Sequence, residues 1–115
     1  MKLRADFLRV ADGQRWTTPS ILLQMRASPE GIADGKIRAG FTATKKLGNA
    51  VQRNRAKRRL RAAVQAVMPL HARAGHDYVL VARDGSLTRS YPELLSDLTL
   101  AIGKVHAMRP RKSNP

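Results

Sequence analysis

The chain has 115 residues, enough for one domain, with 22 Lys or Arg against 8 Asp or Glu, a formal net charge of +14 and a pI near 11.6. Such a charge attracts polyanions, so nucleic acid is the first candidate partner. The absence of cysteine excludes disulfides and thiolate metal sites. The sequence has no signal peptide, and no apolar run approaches the ~18 residues needed to span a membrane. These features favour a cytoplasmic protein with no membrane partner.

The first part of the chain predicts a short helix and then strands. Residues 4–11 form the helix, with Phe7 on its apolar side. An apolar run over residues 20–25 reads as a strand. Residues 36–42 alternate strictly between apolar and polar side chains, so we expect a half-buried strand that places Phe41 on its apolar face.

The most distinctive segment is residues 45–61, KKLGNAVQRNRAKRRLR, with eight basic residues and no acid in 17 positions. The side chain of Asn49 can accept a hydrogen bond from the first helical turn, which predicts a helix beginning near Ala50. At about 100° per residue, apolar residues gather on one face and basic residues on the other. Like charges four residues apart, such as Arg55 and Arg59, each cost a few tenths of a kcal/mol, roughly, and a bound polyanion would relieve that cost.

Arg53 breaks the helical pattern. The same rotation per residue places it beside Leu60 and Val64, at the edge of the apolar stripe. A charged side chain at such a position indicates a function.

The rest of the chain predicts a strand and a final helix. Met68-Pro69 marks the end of the basic helix, and residues 77–83 form a strand that is apolar on both faces. Ser90 and Glu93 form a capping box that opens the last helix. The predicted order α-β-β-β-α-β-α, in which one of the first three strands is not located in the sequence, gives an α+β fold in which helices cover a single-layer sheet. A single domain over residues 1–108 is then followed by a basic tail, 109–115, which we expect to be disordered.

The sequence contains few residues arranged to act in catalysis. The carboxylates are scattered singly, and no pair lies at metal-ligand spacing on one element. The three histidines fall in loops or at helix ends and read as ordinary surface residues: His71, His76 and His106. The sequence therefore predicts no catalytic residue and no metal ligand in the protein.

Aromatic residues for stacking on bases are few. Phe41 and Tyr78 lie on the buried faces of their strands and are expected in the core. Phe7 suits either the core or a binding cleft. Trp16 reads as a loop residue that either covers the edge of the core or stacks on a base.

The basic segment resembles the signature of the bacterial ribonuclease P protein subunit, in which a Lys-Lys pair and a Gly-Asn-Ala-Val turn lead into a helix carrying Arg-Asn-Arg and further basic residues. The motif is long and specific, and the resemblance extends weakly over most of the chain. The RNA-binding residues that it implies are Lys45, Lys46, Asn49, Arg53, Asn54, Arg55, Lys57, Arg58, Arg59 and Arg61.

The resemblance implies a mixed sheet with the basic helix in a left-handed β-α-β crossover. It also implies a protein that binds the catalytic RNA of ribonuclease P and the 5′ leader of precursor tRNA, and assists metal-dependent endonucleolytic removal of that leader, with Mg²⁺ held mainly by the RNA. The leader cleft would contain Phe7, Arg53 and Asn54. Relatives often place further aromatics where this chain has Ala11 and Gln24, which predicts weaker or different leader contacts.

Two rival functions follow from the charge alone. One is a basic ribosomal or other structural RNA-binding protein without a role in cleavage, and the other is a stand-alone nuclease. No protein partner is evident from the sequence, and which basic residues contact catalytic RNA and which contact substrate stays open at this stage.

Overall fold

The structure is a computed structural model that describes residues 10–11, 13–27, 37–73 and 75–108. The strands are β1 (Gln14–Thr17), β2 (Ile21–Ala27), β3 (Arg38–Thr42) and β4 (His76–Ala82). The helices are α1 (Ala50–His71), α2 (Gly85–Thr88) and α3 (Tyr91–Ala107), and a 3₁₀ turn, Lys45–Leu47, precedes α1. Val10 and Ala11 are helical, as predicted. The other residues of the predicted first helix, including Phe7, lie outside the described residues, as does the tail over 109–115.

The four strands form one mixed sheet in the order β1-β2-β4-β3. Strand β2 runs antiparallel to both β1 and β4, whereas β3 runs parallel to β4. Two parallel neighbours need a crossover between them, and α1 provides it. The predicted α+β class and the β-α-β unit around the basic helix are therefore confirmed.

Helices α1 and α3 cover one face of the sheet and enclose the core with it. Because side chains alternate along a strand, every second residue of β2 and β4 points into this core. The sheet contributes Ile21, Leu23, Met25, Tyr78, Leu80 and Ala82. The helices contribute Ala56, Leu60, Ala63, Val67 and Met68 from α1, and Leu98, Ala101, Ile102 and Val105 from α3.

Helix α1 begins where the sequence predicts and ends later. Asn49 Oδ1 accepts a hydrogen bond from the Gln52 amide at 2.9 Å, and Gln52 Oε1 accepts one from the Asn49 amide at 2.9 Å, which completes a capping box. The prediction that the helix breaks at Met68-Pro69 is wrong. Pro69 lies in the last turn, where its missing N–H removes one hydrogen bond, and the Ala72 amide still closes the turn on the Met68 carbonyl at 2.9 Å.

The prediction that Trp16 is a loop residue is also wrong, because Trp16 lies in β1 opposite Leu23. It is half-buried against the core, and Lys104 Nζ of α3 lies 5.2 Å from the centroid of its ring. Strand β1 has only four residues, too few for an alternating pattern to identify it from the sequence.

Tyr78, His106 and Arg73 connect the ends of α1 and α3 to β4. The Arg73 amide donates to the Tyr78 hydroxyl at 2.9 Å, and the Tyr78 oxygen lies 2.8 Å from His106 Nε2. Burial raises the pKa of the Tyr78 phenol, so the phenol stays protonated and can donate to a neutral imidazole. His106 is half-buried and hydrogen-bonded, which corrects the prediction of an ordinary surface histidine.

None of the helices in the described ranges combines the length and the apolar character needed to cross a bilayer.

We predict that His106 makes the protein less stable in acid. Burial, and then the nearby Arg73 and His76, lower the pKa of the His106 imidazole below its ordinary value of 6.5. The unfolded chain then binds a proton that the folded chain binds less well, so the free energy of unfolding falls as the pH drops through about 6.5. His106→Gln keeps an acceptor for Tyr78 without titrating. Its stability should therefore fall less than that of the wild type between about pH 8 and about pH 5.

Urea unfolding at the two pH values measures this difference. His71→Gln, at an exposed position at the end of α1, is the matched control and should keep the wild-type pH dependence. An equal pH dependence for His106→Gln and wild type would contradict the role given to His106.

Candidate nucleic-acid interface

The turn that leads into α1 requires a glycine. Gly48 has a φ of 144°, a conformation that side chains rarely adopt, and a Cβ atom there would lie 2.0 Å from Gln52 Oε1. Gln52 is the capping-box residue that holds the Asn49 amide. Gly48 therefore lets the chain turn out of the Lys45–Leu47 segment and start the basic helix in a fixed direction.

The basic residues of α1 lie on two sides of the helix. At about 100° per residue, Arg53, Lys57 and Arg61 share one side, whereas Arg55 and Arg59 lie on the other. The Arg61 guanidinium carbon lies 5.4 Å from the centroid of the Phe41 ring, so the first side faces β3. Phe41 is half-buried and packs against the core, close to its predicted place.

Arg59 contacts backbone rather than solvent. Its guanidinium donates to the carbonyl of Ser86 in α2 at 2.7 Å and to the carbonyl of Arg89, between α2 and α3. These bonds hold α1 against the segment that leads into α3. Arg59 therefore has a structural role that no sequence signal separates from its basic neighbours, and its predicted contact with RNA stays a prediction.

The other basic residues of α1 and of the turn before it are mostly without partners among the described residues. Within the described parts of the chain, six cationic side chains make no hydrogen bond, ion pair or ring contact: Lys45, Lys46, Arg53, Arg55, Lys57 and Arg58. The exposed amide of Asn54 lies among them. We call these seven side chains the basic surface. Its charges are uncompensated, as expected for a surface that binds a polyanion.

The predicted leader cleft is only partly described. Phe7 lies outside the described residues. Arg53 is half-buried, at the edge position that helical rotation predicts, and Asn54 is exposed. Ala11 is half-buried, whereas Gln24 is 8% exposed and lies in β2 between Arg15 and Val79 of the neighbouring strands.

Three of the four described carboxylates serve the fold, and the fourth, Asp84, is exposed. Asp77 is fully buried, and its two oxygens accept hydrogen bonds from the Arg38 guanidinium at 2.8 and 2.6 Å. Asp97 is 7% exposed, accepts from Ser20 Oγ at 2.7 Å, and pairs with Arg89 at 2.8 Å. Sequence reasoning missed both of these buried ion pairs.

Glu93 closes the capping box at the start of α3, and its hydrogen bonds with Ser90, and then the charge of Arg89, lower the pKa of its carboxyl. No group of three or more His, Cys, Asp or Glu that could hold a metal occurs among the residues described.

Comparisons with known proteins identify the family. A family model described as Ribonuclease P matches residues 1–106. The chain is 50% identical over 111 residues to the ribonuclease P protein component of Paramagnetospirillum magneticum, which covers 95% of this chain and 84% of that protein. It is 47% identical to the corresponding protein of Ruegeria pomeroyi, with 96% of this chain and 88% of that protein covered.

Solved structures show the same fold. The RNase P protein of Staphylococcus aureus aligns with a TM-score of 0.75 at 24% identity, covering 95% of this chain and 96% of that chain. The RNase P protein from Thermotoga maritima aligns with a TM-score of 0.73 at 22% identity, with the same coverage. Since the family match spans nearly the whole chain and relatives reach half identity, this chain belongs to the ribonuclease P protein component family.

Proposed function

We propose that this protein binds the catalytic RNA of ribonuclease P and the 5′ leader of precursor tRNA, and so assists metal-dependent removal of the leader in the cytoplasm. The observation that carries the proposal is the basic surface, six cations without partners among the described residues on one helix and the turn before it. Phosphates of an RNA would replace the missing counter-charges, because Arg forms bidentate pairs with phosphate and Lys supplies point charges.

The RNA is the better place for the catalytic magnesium. Mg²⁺ prefers carboxylate oxygens in proteins. Of the four carboxylates described, Asp77, Asp97 and Glu93 already serve ion pairs or a helix cap, which leaves the exposed Asp84 alone. We therefore assign magnesium to the RNA subunit, where it supplies the metal chemistry of the hydrolysis. The protein's contribution is to bind the leader and to reduce the repulsion between phosphates, which strengthens the binding of substrate and metal to the RNA.

A ribosomal or other structural RNA-binding protein would also carry a basic surface. Membership of the ribonuclease P family favours the processing role over this alternative. Depletion distinguishes them, since loss of a ribosomal protein would leave 5′ maturation of tRNA intact.

The first prediction concerns catalysis by the assembled particle. Protein freed of contaminating nuclease should leave precursor tRNA uncut, whereas adding it to a cognate catalytic RNA should raise leader cleavage at low magnesium. The assay measures 5′-mature tRNA with RNA alone, protein alone and both together. Metal-dependent 5′ maturation by the protein alone would instead support a stand-alone nuclease.

The second prediction separates two arginines that are neighbours in sequence. Arg58 is exposed and has no partner among the residues described, so Arg58→Ala should weaken binding to catalytic RNA and reduce the salt slope by roughly one per lost phosphate contact. Arg59 donates to two carbonyls, so Arg59→Ala should lower the free energy of unfolding by about 1–3 kcal/mol. Salt titrations of RNA binding and urea unfolding of both variants test this. An unchanged slope for Arg58→Ala would show that this side chain only faces solvent.

The third prediction concerns the leader. If Phe7 stacks on a leader base, Phe7→Ala should cost about 1–3 kcal/mol of precursor binding, and Arg53→Ala should lose a phosphate or base contact. Binding of mature tRNA should barely change in either variant. If Phe7 belongs to the core, its truncation costs about 3–5 kcal/mol of stability instead.

Holoenzyme affinity for tRNA with and without a leader, measured beside the melting temperature, separates these cases. Equal losses for the two tRNA forms would reject the assignment of Phe7 and Arg53 to the leader.

A further inference from the structure

A groove lies between α1 and the beginning of α3, on the side of α1 away from Arg53. It is a shallow depression, open to solvent, with a volume of about 450 Å³, and it is lined by Arg55, Arg58, Arg59, Ala62 and Tyr91. We call it the Tyr91 groove. Its charged lining residues in the described part of the chain are three arginines and no acid.

The groove has a fixed aromatic wall. Tyr91 is 41% exposed, yet its hydroxyl donates to the carbonyl of Ala62 in α1 at 3.2 Å, which fixes the position of the ring. Arg59 ties the same two segments together through the carbonyls of Ser86 and Arg89, two residues before Tyr91. An exposed ring held in one orientation gives a base a surface to stack on at little entropic cost.

The groove also offers two free guanidinium groups. Arg55 and Arg58 are exposed and have no partner in the described chain, while the guanidinium of Arg59 is already used. An aromatic ring beside unpaired arginines is the combination that binds an unpaired nucleotide, since the base stacks on the ring and its phosphates pair with arginine.

We propose that the Tyr91 groove binds one unpaired nucleotide of the catalytic RNA, with the base against Tyr91 and the phosphate on Arg55 and Arg58. This inference rests on the proposed function.

The source of the nucleotide follows from the geometry of α1. Arg55 lies about 160° around the helix from Arg53, so a leader that follows Arg53 runs along the opposite side of α1. The catalytic RNA, rather than the leader, is then the ligand that reaches the groove.

Two substitutions at Tyr91 test the proposal. Tyr91→Phe and Tyr91→Leu both lose the hydrogen bond to Ala62, but only Tyr91→Leu loses the ring. Tyr91→Leu should weaken binding to the catalytic RNA by about fivefold or more, the loss expected for one stacked base. Tyr91→Phe should stay within about twofold of the wild type. Because neither change removes a charge, the salt slope should not change, unlike that of Arg58→Ala.

Leu100→Ala is the matched control, because Leu100 is also an exposed apolar side chain of α3 and does not line the groove. It should bind the catalytic RNA as the wild type does. Melting temperatures of all variants show whether a loss of affinity reflects unfolding. A second pair, Arg55→Ala and Arg55→Lys, tests the phosphate contact without touching α3, and Arg55→Lys should recover part of the lost affinity.

Three outcomes would overturn the proposal. Wild-type affinity of Tyr91→Leu for the catalytic RNA would show that the ring does not stack, and an equal loss for Tyr91→Phe would assign Tyr91 to the fold through its hydroxyl. A loss confined to holoenzyme binding of leader-bearing tRNA would assign the groove to substrate. In each case the low-magnesium cleavage assay, which uses the unchanged protein, still tests the proposed function separately.

Discussion

The packing of one stripe of α1 between the sheet and α3 holds every other part of the interface in place. Ala56, Leu60 and Ala63 face the core, and burying the larger side chains among them and their neighbours contributes about 1.5–3 kcal/mol each. Because an α-helix is rigid, fixing this stripe also fixes the direction of each basic side chain around the helix. The protein therefore presents its charge on a packed element rather than on a flexible tail.

The charge on α1 works against the helix that carries it. The first turn contains no acid, and basic residues near a helix N-terminus oppose the helix dipole. Two features offset this cost. The Asn49–Gln52 capping box satisfies the start of the helix, and Arg59 bonds to carbonyls that would otherwise lack a strong donor. An isolated helix would be stabilised by ion pairs between acidic and basic side chains, whereas α1 is stabilised by tertiary contacts.

The two sides of α1 face different parts of the protein. The side with Arg53 and Lys57 faces the β3 edge, where Arg61 covers Phe41. The other side faces α3 and forms the Tyr91 groove. A helix that crosses between parallel strands and also packs on a second helix is open on both flanks, so the basic side chains of α1 lie on two separate sides.

Features that depend on local chemistry could be predicted from the sequence: the Asn49 cap, the Ser90 cap, the buried strand through Tyr78, and the position of Arg53 at the edge of the apolar stripe. The basic motif also identified the family. Tertiary structure alone decided the strand order, the continuation of α1 through Pro69, and the buried pairs of Asp77 and Asp97. It also distinguished Arg59 from Arg58, because a side chain's partner depends on residues distant in sequence, and periodicity reports only the face on which the side chain lies.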